Sequence, residues 1–150
     1  MNPIVMPTKK LSSDATVPQN AYHGDAGYDL CSTEEITLKP FERALIPTGL
    51  AVQIPEGYAG FVLPRSGLAL KKGLSLVNAP GLIDSNYRGE LKAIAVNLDP
   101  KNDIEIHIGD RIAQLVLMKV ENVQFNEVDE LEASDRGEGG FGSSGVSKTE

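Results

Sequence analysis

The sequence predicts an all-β sandwich or barrel with one short helix. Short apolar runs are cut at close intervals by 15 glycines and 9 prolines among 150 residues, the spacing of strands and turns. Two stretches alternate apolar and polar residues, Leu50 to Ile54 and Asp103 to Ile108, as half-buried strands do. Only Ser66 to Lys72 resembles a helix.

In chain order, Ile36-Thr37-Leu38 is the first strand. Leu50, Val52 and Ile54 alternate with Ala51 and Gln53, and Gly60 to Leu63 forms the next run. The helix has Ser66 as its N-cap and Gly73 as its stop. Ala79 to Leu91, with Gly81 and Gly89 inside its ends and Ser85-Asn86 as turn chemistry, reads as a β-hairpin or a short Ω-like excursion. Leu91 to Leu98 is a strand without a carboxylate, and Ile104, Ile106 and Ile108 line the inner face of another. Ile112 to Val120 is apolar on nearly both faces, so it belongs at the centre of a sheet. Past Asn126 the pattern fails. An acidic stretch leads to Arg-Gly-Glu-Gly-Gly-Phe-Gly-Ser-Ser-Gly at 136–145, the composition of a flexible tail. The expected organisation is one domain at 1–133 and a mobile tail at 134–150.

The totals narrow the function. Lys and Arg number 14 against 21 Asp and Glu, a net charge of -7, which argues against a nucleic-acid partner. An anionic ligand would need locally concentrated positive charge or a screening metal. One cysteine, Cys31, excludes an internal disulfide and fits a reducing compartment. With no long apolar run near the start, neither a secretion signal nor a membrane span is expected, and the expected location is the cytoplasm.

Five stretches carry chemistry. Asp84 follows two apolar residues, where neighbouring walls can desolvate a carboxylate enough to make it a general base for water; as a bare turn residue it would only cap Ser85-Asn86. Pro64 to Ala69 ends a strand and opens the helix, so backbone N–H groups, the Ser66 hydroxyl and the Arg65 guanidinium can converge on an anion, or merely cap the helix. Asp29, in Ala26-Gly27-Tyr28-Asp29-Leu30, can serve Mg²⁺ directly or through water, or simply end a turn. Arg111 and Gln114 are polar residues within an apolar strand and need buried partners, from the protein or from a ligand. In the tail, Arg136 and the lone aromatic Phe141 do not suit a plain linker. Gly137 to Gly142 matches G-x-G-x-x-G, but without the strand and helix that give that motif its meaning. His23 and His107 lack zinc spacing, and neither a Walker-type loop nor a Ser-His-Asp arrangement occurs.

Taken together, Ala26 to Leu30, Pro64 to Ala69, Gly81 to Leu91, Arg111 to Leu115 and Arg136 to Gly145 closely resemble the motifs of the trimeric deoxyuridine triphosphatases (dUTPases), in order and over essentially the whole chain. The resemblance implies a jelly-roll-like homotrimer whose active sites are shared between subunits, with the tail of one closing over a site of its neighbours. It implies hydrolysis of dUTP to dUMP and pyrophosphate with Mg²⁺ on the triphosphate, which would keep uracil out of DNA and supply dUMP for thymidylate. Asp84 matches the residue that deprotonates the water attacking the α-phosphorus. Arg65, Ser66 and Gly67 match the phosphate-binding turn, Gln114 a further phosphate contact, and Asp29 the carboxylate that reaches Mg²⁺ through water. Gly81 and the backbone around Asn78, Leu82, Ile83 and Lys92 match the part that reads uracil. Tyr87 would lie under the sugar and fill the volume of a 2′-hydroxyl, with no need to bond. Arg136 matches the γ-phosphate clamp, Phe141 the ring that stacks on uracil, and Gly142, Ser143 and Ser144 further contacts in the tail. The rivals are a dCTP deaminase on the same fold, which needs a glutamate on the strand after the hairpin, and a non-catalytic β-sandwich, which would leave Asp84, Arg136 and Phe141 without a purpose.

Overall fold

A computed structural model describes residues 2–148; Met1, Thr149 and Glu150, the outermost residues of the expected domain and tail, lie outside the described residues. The elements are β1 (Thr8–Lys10), β2 (Tyr28–Cys31), β3 (Ile36–Leu38), β4 (Arg43–Val52), β5 (Tyr58–Leu63), α1 (Ser66–Lys72), β6 (Leu74–Leu76), β7 (Gly81–Ile83), β8 (Glu90–Asn97), β9 (Ile104–Ile106) and β10 (Arg111–Lys119). They form two four-stranded antiparallel sheets, β1-β4-β8-β6 and β2-β10-β5-β7, with β3 and β9 paired beside them. This is the all-β, jelly-roll-like fold that was expected. Among the described residues no helix is long and apolar enough to cross a membrane.

One core joins the sheets. Leu30, Val62, Ala113 and Leu115 from one sheet and Ile46, Leu50, Leu91 and Ala95 from the other are buried in a single cluster. Period-2 alternation put the inward residues of each strand on one face, and burying them removes their apolar surface from water. β10 is central, as its two-sided apolar pattern required. At the back of this core Asn97 is fully buried: its amide donates to the Leu38 and Asn102 carbonyls at 2.9 and 2.8 Å and accepts from the Asp99 N–H at 2.8 Å.

Several local expectations change. The helix starts one residue before a Ser66 cap would allow. Arg65 is extended (φ -93°, ψ 131°), its carbonyl accepts the first helical bond from Ala69 N–H, and Ser66 is already helical. The stop holds: Gly73 is left-handed at φ 73° and its N–H reaches the Ala69 carbonyl. β4 ends at Val52, so Ile54 is buried beyond the strand rather than in it. β9 ends at Ile106, because a turn closed by Asp110 N–H on the His107 carbonyl turns Ile108 out to solvent.

The stretch at 79–91 is not a hairpin. β7 pairs with β5, whereas β8 pairs with β4 and β6 in the other sheet. The chain between them is a self-bonded crossover of the Ω kind. Tyr87 N–H donates to the Asp84 carbonyl, the Tyr87 hydroxyl to the Glu90 carbonyl at 2.9 Å, and the Arg88 guanidinium to the Ser85 carbonyl at 2.7 Å. β8 also begins at Glu90. The strand therefore does carry a carboxylate at its first residue, and its supposed lack of one no longer argues against the deaminase.

Candidate active site

Strand register assembles one half of the site. Gln114 on β10 faces Asp29 on β2 and, on its other side, Leu63 at the end of β5. Three stretches far apart in sequence thus meet at one edge, and Pro64 and Arg65 follow directly into α1. The Gln114 amide donates to the Pro64 carbonyl at 2.9 Å, fixing the turn to the strand. A cavity of about 550 Å³ opens here, lined by Gly27, Asp29, Arg65, Ser66, Gly67 and Gln114, with Lys71 and Lys72 at its rim. Three cations, Arg65, Lys71 and Lys72, stand here beside two carboxylates, Asp25 and Asp29, a local positive excess in a chain of net charge -7 and the balance that an anionic ligand favours. The two lysines were read only as helix residues in the sequence; the i, i+4 spacing of Gly67 and Lys71, which puts them on one helix face, was the available signal.

Asp29 is not a free metal ligand in this arrangement. Its carboxylate lies 3.1 Å from Arg65 Nε and 3.9 Å from Arg111 Nε. Arg111 thus finds a partner in Asp29, but it opens β10 in an exposed position rather than lying buried within the strand as expected. Cys31, two residues along, does not add a nucleophile: burial, then the negative charge of Asp29, pushes its thiol above the usual range, so it stays protonated.

Gly27 lets β2 and Gln114 approach. A Cβ there would collide with the Gln114 side-chain oxygen, the mobile end of a side chain. Gly27→Ala is therefore expected to cost little stability but to swing Gln114 off the cavity wall. The check is an unfolding temperature close to the parent's beside a phosphate-dependent affinity weaker by about 3–10-fold, the scale of one lost hydrogen bond.

The other residues are not brought to this cavity. Asp84 follows β7, an edge strand paired with β5 on one side and, among the described residues, with no strand on the other, so the walls expected to desolvate it are missing and it is exposed. It lines a different concavity with Ile54, Glu56, Asn86, Arg88 and Val120, which shares no residue with the first. Leu82 on β7 is 60% exposed and Asn78 is exposed, while Gly81 is buried against Val62 and Asn78. Ile83 is half-buried, and Lys92 points out from β8 opposite Pro47. Tyr87 is partly exposed, with its hydroxyl already tied to Glu90, so its ring is held in place from within the loop.

From Ser134 to Gly145 the hydrogen bonds close short local turns, including Arg136 Nε to the Gly139 carbonyl and Ser143 N–H to the Gly140 carbonyl. Phe141 is fully exposed at φ 50°, and Gly142, Ser143 and Ser144 stand with it in solvent. Among the described residues no three His, Cys, Asp or Glu side chains are placed to hold a metal ion between them.

A sequence profile described as dUTPase matches residues 13–145, from ahead of the first motif through the tail. The deoxyuridine 5′-triphosphate nucleotidohydrolase of Rhodococcus erythropolis is 56% identical over 137 residues, covering 91% of this chain and 84% of that one. Its counterpart in Streptomyces avermitilis is 54% identical over 143 residues, covering 95% and 82%. Among solved structures, a mutant dUTPase of Staphylococcus bacteriophage 80alpha with bound dUpNHpp superposes with a TM-score of 0.87 at 36% identity over 95% of this chain and 99% of that one. A mutant dUTPase from phage phi11 of S. aureus, described as coordinating a structural Mg(II) ion, gives 0.79 at 30% identity over 87% and 100%.

Proposed function

The chain belongs to the dUTPase family, a family of hydrolases, and from that premise we propose that it converts dUTP to dUMP and pyrophosphate in a Mg²⁺-dependent reaction at sites shared between the subunits of a homotrimer. The observation that carries this reading is the register of β2, β10 and β5, which gathers Asp29, Gln114 and Arg65 at a cationic cavity while leaving Asp84 on a bare edge strand elsewhere. A cradle without a base, and a base without a cradle, complement each other in a second copy of the chain.

In the assembled site, Arg65, the Ser66 hydroxyl and the N–H groups opening α1 hold phosphate oxygens. Gln114 adds a side-chain contact. The donor set suits a metal carried by the nucleotide: two carboxylates, Asp25 and Asp29, line the cavity, and Mg²⁺ commonly keeps several waters and binds through substrate phosphates with one or two carboxylates. Bound there, it would neutralise triphosphate charge and polarise the α-phosphate. Asp84 of another subunit takes a proton from water aligned behind the α-phosphorus, in line with the departing pyrophosphate. The free edge of β7 and the backbone near Asn78 and Lys92 read uracil. Cytosine exchanges a carbonyl and an N–H for an amine and a bare nitrogen, and fixed buried donors left unpaired by it can discriminate by roughly 10⁴. Tyr87 excludes the ribose 2′-hydroxyl by volume.

Residues 134–150 act as a lid. Arg136 clamps the γ-phosphate, Ser143 and Ser144 contact phosphate, the freedom of Gly142 lets the chain fold over the nucleotide, and Phe141 stacks on uracil. Phe141→Ala is expected to weaken binding of the closed complex by about 1–3 kcal/mol, one base–aromatic stack. Titration with a non-hydrolysable analogue measures this, and an unchanged affinity and rate would show that the ring does not stack. In the cell the reaction would keep dUTP from DNA synthesis and feed thymidylate formation, a role that a cytoplasmic location suits. The whole reading is tested by offering dUTP, dCTP, UTP and dTTP with and without Mg²⁺. Pyrophosphate from dUTP alone, requiring Mg²⁺, is the expected result; ammonia from dCTP would indicate the deaminase instead.

A further inference from the structure

We propose that Arg111 is a positioning residue: a β-bulge at Ile112 turns it onto the cavity face, where it holds Asp29 and, through Asp29 and its own carbonyl, sets the guanidinium of Arg65. The proposal rests on reading the cavity as the triphosphate site. In an unbroken strand alternate side chains share a face, so Arg111, three residues before Gln114, would point to the opposite side of the sheet. The register slips between them. Gln114 faces Asp29 and Ala113 faces Leu30, but Arg111 faces Cys31, so two steps on β10 match one on β2. Asp29 and Cys31 share a face, and Arg111 thereby joins Asp29 and Gln114. The mark of the slip is two consecutive buried residues, Ile112 and Ala113. Bulges of this kind re-aim side chains beside functional sites.

Arg111 does not line the cavity itself. It borders the two neighbouring concavities, behind Asp29. Its side chain is 58% exposed, whereas that of Asp29 is 19% exposed. From there it acts in two ways. Its guanidinium lies 3.9 Å from the Asp29 oxygen that Arg65 does not use, and its carbonyl accepts a hydrogen bond from Arg65 Nη1 at 3.3 Å. Asp29 is thereby held from both sides, and Arg65 is gripped at two nitrogens, Nε and Nη1, so its remaining donors are aimed rather than free to sweep.

The test uses the full-length protein and two ligands, dUpNHpp and deoxyuridine, the second lacking every phosphate. Arg111→Gln is expected to weaken dUpNHpp by about 2–5-fold, the scale of one partly exposed ion pair, and to leave deoxyuridine unchanged. Arg111→Lys, which restores charge beside Asp29, should recover most of the loss. In an Asp29→Asn background, Arg111→Gln should cost little more, because both substitutions break one linkage. Unchanged dUpNHpp affinity, an equal loss for both ligands, or losses that simply add would overturn the proposal. A parent protein that binds the two ligands equally well would instead overturn the reading of the cavity, and the proposal with it.

Discussion

Asp84→Asn is expected to leave dUTP bound with near-normal affinity while cutting turnover by at least ~10², the loss of a general base. The substitution keeps size and shape and removes only the ability to accept a proton. It should not disturb the fold, because the turn bond at this position is accepted by the backbone carbonyl from Tyr87 N–H, not by the carboxylate. Nor is there core to lose, since the side chain is exposed at the end of an edge strand. Single-turnover rates beside equilibrium binding of dUpNHpp separate the two effects. Near-normal turnover would remove Asp84 from the role of base, and lost binding would assign it to recognition instead.

A chain ending before Ser134 is expected to fold and assemble normally and to lose activity by at least about 10²-fold, as sites left open to water do. Every strand of the two sheets ends by Lys119, and the last backbone bond to the body described past it is Val120 N–H to the Gly57 carbonyl. The hydrogen bonds of Ser134 to Gly145 are local, so removing them exposes no core. Arg136 and Phe141 go with the tail. Matching unfolding temperature and molecular mass beside a collapsed rate are the expected results, and a fully active truncation would contradict the lid.

The fold class was legible because period-2 patterning states which face each strand buries. Leu50, Val52 and Ile54, and Ile104 and Ile106, are buried as their alternation required, and the run of β10 that is apolar on both faces lies inside its sheet. Less legible were β1, β6 and β7, which lie in no longer alternating run of the kind that Asp103 to Ile108 provides for β9. At 79–91 the Ω-like alternative held and the hairpin did not, because turn residues announce a reversal but not which sheet receives the outgoing strand. Local chemistry could place Arg65, Gln114 and Asp29 on a turn and two strands. Only long-range register shows that they share an edge, and only the slip at Ile112 shows that Arg111 joins them. Asp84 misled in the opposite way. Two apolar neighbours suggested walls, but Leu82 stands in solvent on an edge strand.

The bare flank of β7 has a biological corollary. On the proposed reading, the cavity beside Arg65 and the carboxylate of Asp84 lie on separate surfaces of one chain, so a newly made chain that has not met its siblings would be catalytically silent while isolated. Nucleotide cleavage would then rise more steeply than protein concentration while chains are scarce, and become proportional to it once threefold association is complete.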